Sequence, residues 1–255
     1  NHFKPSGYLQ SNQLNTLKKN IALANKVFLA HRGSWHKHSL ENTIESFKQT
    51  ILNLNNEIHG FECDMQQLSE NEPGSWVVFH DNDMSRFNVE TENVDPKKPL
   101  RMGTKSANIP TLNEFVNFLH KINQDVIINI EIKKGTKEGV LYLVKTLKEA
   151  NKKHFLSYIF SSFNKFILET LFLSTTVNLG YLVLDFNNEL DNMKLFKKRL
   201  LFIALDYCEL TDKKIEDIKT LGIPIGVYFS NLDSFRKEFD QLKNNNNVSY
   251  IFIED

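Results

Sequence analysis

The feature of this sequence that most restricts its fold is a regular alternation of short β-rich runs with amphipathic helical stretches. Strand candidates are Val27–His31, Phe61–Met65, Trp76–His80, Val126–Lys133, Ser157–Phe160, Leu179–Leu184, Leu201–Asp206, Ile223–Phe229 and Tyr250–Ile253. Between them, helical patterns lie near 41–56, 111–122, 137–151, 165–174, 189–200, 211–221 and 231–243. In the segment 210–221, Leu210, Ile215, Ile218 and Leu221 recur at roughly helical spacing, with Thr211 placed as an N-cap and Gly222 as a stop. Such alternation implies parallel strands joined by helical crossovers. Nine strands are one too many for an eight-stranded barrel. The segment Met65–Phe79 has no room for a crossover helix, and Glu72-Pro73-Gly74 reads as a turn, so 65–80 is expected to be a hairpin excursion from the second strand. Eight parallel strands remain and predict a TIM-like (β/α)8 barrel, with a doubly wound open sheet as the alternative. The expected organisation is one domain over 1–255. It has a helical extension at 1–26 and a hairpin-and-loop insertion at 65–110 over the barrel mouth, in which polar 82–108 is a loop.

Composition removes several function classes. Lys plus Arg and Asp plus Glu both number 31, so a nucleic-acid binder working through bulk positive charge is not expected. No apolar run approaches the roughly 20 residues of a membrane span, which predicts a soluble protein. Cys63 and Cys208 alone make neither a disulfide framework nor a cysteine-rich zinc site. That content fits a cytoplasmic location, but many secreted proteins also lack disulfides, so the compartment stays open. Residues 1–26 lack the apolar stretch of a signal peptide, and a start at Asn1 implies a segment upstream of it.

Polar clusters sit at the predicted carboxyl ends of the strands, the end at which such barrels carry their active sites. They are His31-Arg32-Gly33, Glu62 with Asp64, His80-Asp81, Glu131-Ile132-Lys133 and Ser161-Ser162-Phe163. Side chains on a strand alternate faces, so Glu62 and Asp64 share one face while Phe61, Cys63 and Met65 share the other. By the same count Asn129, Glu131 and Lys133 face together, opposite Ile128, Ile130 and Ile132. The isoleucine face should pack on helices, which turns Glu131 and Lys133 into the mouth. Three carboxylates converging there repel one another and resist desolvation unless a cation joins them. An all-oxygen set suits Mg²⁺ or Ca²⁺. The plainer alternatives are a structural Glu131–Lys133 ion pair and an exposed strand face carrying Glu62 and Asp64. Asn42 reads either as a cap of the helix that follows or as a residue orienting a ligand, with the cap preferred.

Ala30-His31-Arg32-Gly33, Glu41-Asn42-Thr43, Phe61-Glu62-Cys63-Asp64 and Phe79-His80-Asp81 follow one another in an order that resembles the glycerophosphodiester phosphodiesterases. Arg86, Ile109-Pro110-Thr111-Leu112, Ile130-Glu131-Ile132-Lys133 and Ser162-Phe163 continue the likeness, which runs from about residue 27 to the end. Three departures accompany it. The turn Ser69 to Gly74 is longer than the family's usual Asp-Gly, Tyr228 stands where a tryptophan is typical, and Ile253-Glu254-Asp255 replaces Thr-Asp. The resemblance implies a divalent cation on Glu62, Asp64 and Glu131, an acid/base pair of His31 and His80, and phosphodiester contacts from Arg32 and Lys133. The implied reaction is metal-dependent hydrolysis of a small-molecule glycerophosphodiester to sn-glycerol 3-phosphate and an alcohol. Its rivals are a phospholipase-type enzyme on lysophospholipids or sphingolipids and a non-catalytic phosphoester-binding barrel.

Overall fold

The computed structural model describes residues 26–34, 40–54, 58–81, 100–101, 108–151 and 154–253. The strands are β1 Val27–Ala30, β2 Gly60–Gln67, β3 Trp76–Val78, β4 Leu100–Arg101, β5 Asn108–Ile109, β6 Val126–Lys134, β7 Leu156–Ser162, β8 Asn178–Leu182, β9 Leu200–Asp206, β10 Ile225–Tyr228 and β11 Val248–Ile253. The helices are α1 Ile44–Leu52, α2 Leu112–Leu119, α3 Lys137–Ala150, α4 Lys165–Ser174, α5 Phe186–Phe196, α6 Asp212–Leu221 and α7 Leu232–Asn244.

Eight strands pair side by side, all in parallel, in the order β1-β11-β10-β9-β8-β7-β6-β2. The ring closes where β1 meets β2, through Leu29↔Gly60 and Ala30↔Phe61. This is the expected (β/α)8 barrel and excludes the open sheet. The ninth strand, β3, runs antiparallel to β2 from Met65↔Val78 to Gln67↔Trp76, so the hairpin excursion is also as expected. The stretch 82–108 was expected to be wholly loop. Its described residues instead contribute backbone pairing between β4 and β5, Leu100 opposite Ile109 and Arg101 opposite Asn108. The expected helical extension at 1–26 lies, but for Lys26, outside the described residues.

Local sequence explains where the helices start. Thr43 caps α1 and Thr111 caps α2, each with a reciprocal capping box, through Ser46 and Glu114 respectively. Thr136, Asn164, Asp185, Thr211 and Asn231 cap the next five. Gly222 ends α6 at φ 67°, a left-handed conformation that a Cβ disfavours.

Strand alternation then sorts the core into two shells. Phe28, Phe61, Cys63, Ile128, Ile130 and Ile132 point outward and are buried under the helices. Phe47, Phe61, Phe115 and Phe118 form one aromatic cluster there, with Phe47 stacked on Phe61 at 4.5 Å. The barrel interior is filled by Val27, Leu29, Ile127, Ile159, Leu182, Phe202, Ala204, Tyr250 and Phe252. Room for those rings depends on glycine. A Cβ on Gly180 would lie 2.3 Å from the Phe202 ring, and one on Gly60 would lie 1.7 Å from the Ile127 carbonyl oxygen. The second contact is with backbone of the neighbouring strand and cannot relax by a rotamer change. Gly60→Ala should therefore cost about 3 kcal/mol or more, a drop of roughly 5–10 °C in melting temperature. Thermal unfolding followed by circular dichroism tests this, and an unchanged midpoint would contradict the close β2–β6 approach.

Candidate active site

Each interior-facing row of the barrel changes character as it climbs. On β6 the row runs Ile127, Asn129, Glu131, Lys133, and on β2 it runs Gly60, Glu62, Asp64, Gln66. Register places Glu62 beside Asn129 and Asp64 beside Glu131. Glu62, Asp64 and Glu131 are all buried, and each offers an oxygen within 4.8 Å of the others'. The structure thus brings together the three carboxylates expected from alternation. Cys63 faces away into the outer shell, as expected.

Two cations stand against them. Lys133 Nζ lies 2.7 Å from Glu131 Oε1 and 3.4 Å from Asp64 Oδ1. The Arg32 guanidinium reaches Glu41, Nη1 donating to Oε1 at 3.2 Å and Oε2 at 3.1 Å, while its Nε sits 3.4 Å from Asp64 Oδ2. The Arg32 backbone N–H donates to Glu62 Oε2 at 2.9 Å. Arg32 at φ 59° and Asn42 at φ 55° both hold left-handed backbone conformations, which cost free energy in a non-glycine residue. The Asn42 N–H donates to the Arg32 carbonyl at 2.9 Å, so the two conformations lock together.

Asn42 does not cap α1; Thr43 does. The Asn42 side chain instead grips Asp64 twice. Nδ2 donates to Asp64 Oδ2 at 2.8 Å, and Oδ1 accepts from the Asp64 backbone N–H at 3.1 Å. The preferred reading of Asn42 as a helix cap is thus overturned, and its side chain orients Asp64, one of the three candidate cation-binding acids. A cap and an orienting residue look alike in sequence, both being an asparagine just ahead of an apolar helical pattern.

The two histidines flank this group. His31 Nε2 is 4.0 Å from Glu62 Oε2. His80 Nδ1 is 2.8 Å from Asp81 Oδ1, an interaction that fixes the ring and leaves Nε2 as its other nitrogen. One residue with a bearing on His80 went unnoticed in the sequence. Gln66 Nε2 donates to the Phe79 carbonyl at 2.9 Å and to the Asp81 carbonyl at 2.8 Å, holding the backbone on either side of His80. Its parity with Glu62 and Asp64 was the available signal. Arg86, Glu254, Asp255, His36 and His38 lie outside the described residues.

Electrostatics sets the protonation pattern. Burial first, then the neighbouring Asp64 and Glu131 charges, pushes the Glu62 carboxyl well above the usual carboxylate range. Glu131 is pushed up to about 6, by burial and then by Asp64, against the pull of Lys133. For Asp64 burial also acts upward but is outweighed by the charges of Lys133, Arg32 and His80 and by the Asn42 hydrogen bond, leaving it below its ordinary value. Burial, then Arg32 and Lys133, lowers His80, which keeps the imidazole neutral near pH 7.

The donor set fits a hard divalent cation. Glu62 Oε1 and Asp64 Oδ1 are buried acceptors without a hydrogen-bond partner. Glu41, Glu62, Asp64 and Glu131 face the fixed charges of Arg32 and Lys133, so four carboxylates against two cations leave a deficit that one divalent ion fills. Oxygen-only ligation of this kind belongs to Mg²⁺ or Ca²⁺ chemistry.

Comparison with known proteins agrees with this geometry. No family model and no curated protein matches the sequence. Solved structures do. The glycerophosphodiester phosphodiesterase of Thermotoga maritima is 28% identical, with a TM-score of 0.59 over 89% of this chain and 93% of that one. The corresponding enzyme of Parabacteroides distasonis is 21% identical, with a TM-score of 0.67 over 89% and 92%. A phosphodiesterase of Oleispira antarctica, solved with the product sn-glycerol 3-phosphate, is 20% identical, with a TM-score of 0.64 over 91% and 94%. Fold and site together define a phosphodiesterase barrel. The chain is similar over about nine-tenths of its length to glycerophosphodiester phosphodiesterases of solved structure, which supports that family for it. No helix among the described residues is long and apolar enough to cross a membrane.

The raised carboxyls give cation binding a signed pH dependence. Without a cation, Glu131 and Glu62 hold protons more tightly folded than unfolded, so the contribution of Glu131 to stability falls as pH rises from about 4.5 through about 6, and that of Glu62 falls in the same direction. A cation takes the place of those protons, so its stabilising effect grows over the same window. Saturating Mg²⁺ or Ca²⁺ is therefore expected to raise the melting temperature by several degrees more at pH 7 than at pH 5, about 2–4 °C per kcal/mol at this size. Equal shifts at both pH values, measured by scanning fluorimetry, would contradict a site made of these acids.

Proposed function

We propose that this protein hydrolyses glycerophosphodiesters to sn-glycerol 3-phosphate and an alcohol with the aid of a divalent cation. The observation that carries the reading is the buried Glu62, Asp64 and Glu131 cluster, in which Glu62 Oε1 and Asp64 Oδ1 accept no hydrogen bond, flanked by His31 and His80 at one barrel mouth. The Oleispira antarctica neighbour holds sn-glycerol 3-phosphate as a product, which supports the substrate class. We take residues 1–255 as one barrel domain, with 65–110 as an excursion at its mouth.

A phosphodiester is an anion that repels a nucleophile, so the site must first neutralise it. Lys133 presents a half-buried ammonium at the mouth; burial works against its charge, but the Asp64 and Glu131 carboxylates outweigh burial and keep it protonated. Arg32, engaged by Glu41 on one edge, contributes its charge from the opposite side of Asp64. A bound divalent cation, held by Glu62, Asp64 and Glu131, supplies Lewis-acid stabilisation of the charge that develops on the phosphoryl oxygens. The proton balance falls to the histidines. One imidazole removes the proton from the attacking oxygen and the other donates one to the departing alkoxide, the general base and general acid roles that histidine side chains most often fill. His80 enters neutral and oriented by Asp81, while His31 stands beside Glu62 on the first strand. Two separate segments thereby address the phosphorus from different sides, as in-line displacement requires.

Purified protein with Mg²⁺ or Ca²⁺ should release choline or ethanolamine from the matching glycerophosphodiester, and chelation or Glu62→Ala should abolish release. His31→Ala and His80→Ala should each lower kcat by about 10²–10⁴-fold while ligand affinity changes little. Turnover that survives chelation and Glu62→Ala would overturn the cation's role. Release that never exceeds the uncatalysed background would favour a binding barrel.

A further inference from the structure

The mouth has two unlike halves. The acids, Lys133 and both histidines come from β1, β2, β6 and the hairpin, while the facing arc is built by the ends of β7, β8, β9 and β10. That arc carries Phe163, Leu184, Asp206 and Tyr228. Phe163 and Tyr228 are half-buried and pack on the interior shell, their rings edge to face at 5.8 Å. The Tyr228 hydroxyl donates to the Val183 carbonyl at 3.2 Å, which fixes the ring. Asp206 pairs with Tyr228 in register and is half-buried. Its two oxygens accept from the backbone N–H groups of Cys208 at 3.1 Å and Ser230 at 3.2 Å, so its charge is held in place.

This arc adjoins the reacting centre. Lys133 Nζ, the ammonium proposed for the phosphodiester, is 5.8 Å from the centre of the Phe163 ring. The aromatic pair therefore lies within reach of a short substituent on a phosphodiester held by that ammonium. Ring faces and a fixed carboxylate together attract an organic cation, which feels a ring within about 6 Å of its centroid. A neutral polyol gains less from both, since it can hydrogen-bond the carboxylate but brings no charge to either. The charge of Lys133 does not oppose such a ligand strongly, because Glu131 and Asp64 neutralise it on one side and the bound phosphodiester on the other.

We propose that Phe163, Tyr228 and Asp206 form a subsite for an alkylammonium alcohol, the quaternary ammonium of choline above all, and so set the head-group preference of the enzyme. The proposal rests on the glycerophosphodiesterase reading and narrows it to cationic leaving alcohols. The hydroxyl of Tyr228 serves only to anchor the ring; burial and the nearby carboxylates of Asp206 and Glu131 keep it neutral.

The test compares kcat/KM for glycerophosphocholine and for glycerophosphoglycerol, whose leaving alcohol is neutral, on the same preparations. The wild type should prefer the choline diester by about fivefold to tenfold, the range that a single cation–ring contact accounts for. Tyr228→Leu should bring the ratio close to one. Tyr228→Trp should keep the preference, and Asp206→Asn should reduce it in a salt-dependent manner. Circular dichroism melts of each variant separate loss of fold from loss of selectivity. Equal wild-type efficiency on both diesters, or a ratio untouched by Tyr228→Leu and Asp206→Asn in folded protein, would overturn the subsite and leave the hydrolase reading standing. No turnover of either diester would overturn the hydrolase reading itself.

Discussion

The architecture of the site follows from one constraint: like charges taken out of water must be compensated. Glu62, Asp64 and Glu131 are held together by neighbouring parallel strands whose register cannot slip without turning every side chain to the other face. Burial, and after it their mutual repulsion, lifts Glu62 and Glu131. Lys133 and Arg32 relieve Asp64 most, which is why that acid alone stays ionised below its ordinary range. The remaining imbalance is resolved either by protons or by a divalent ion, and that choice links stability, cation affinity and pH.

Much of this could be read from the sequence because a strand's period of two is a rigid rule. Glu62 with Asp64, and Asn129 with Glu131 and Lys133, could be assigned to one face by counting, and the isoleucines between them said which face was dry. Eight strand runs and a hairpin too short for a helix were enough to indicate closure. Counting fails where the backbone leaves regular structure. Arg32 and Asn42 sit at positive φ, and nothing in Glu41-Asn42-Thr43 announces that Glu41 will grip Arg32 while Asn42 grips Asp64. Arg32, expected to meet the phosphodiester, is thereby first a partner of two carboxylates. Gln66 escaped for a different reason: its partners are main-chain carbonyls, which carry no signature in sequence.

The departures from the family pattern become intelligible in space. Tyr228 sits on the arc of the mouth opposite the acids, in contact with Phe163, so a change of ring there alters that arc and leaves the three carboxylates untouched. Exposed apolar residues continue the same rim, with Leu184 at 74% and Phe166 at 51% exposure, where most surface positions on a barrel of this kind are polar.

The hairpin that delivers His80 is held at both ends, by the barrel at its base and by the start of α3 near its turn. There the Trp76 Nε1–H donates to the Gly139 carbonyl and Gln67 Oε1 accepts from the Thr136 N–H. β3 is registered to β2 from Met65↔Val78 outward to Gln67↔Trp76, and Gln66 ties down the exit beyond Phe79. The turn at 69–74 closes on itself, with Ser75 Oγ donating to the Ser69 and Glu72 carbonyls and Gln67 Nε2 bonding the same pair. Distance to the imidazole is thus measured from the barrel and never from the turn. The turn can therefore lengthen only beyond Gln67 and Trp76, whose bonds to α3 act as a second hinge pin that keeps any change at the tip from reaching the imidazole.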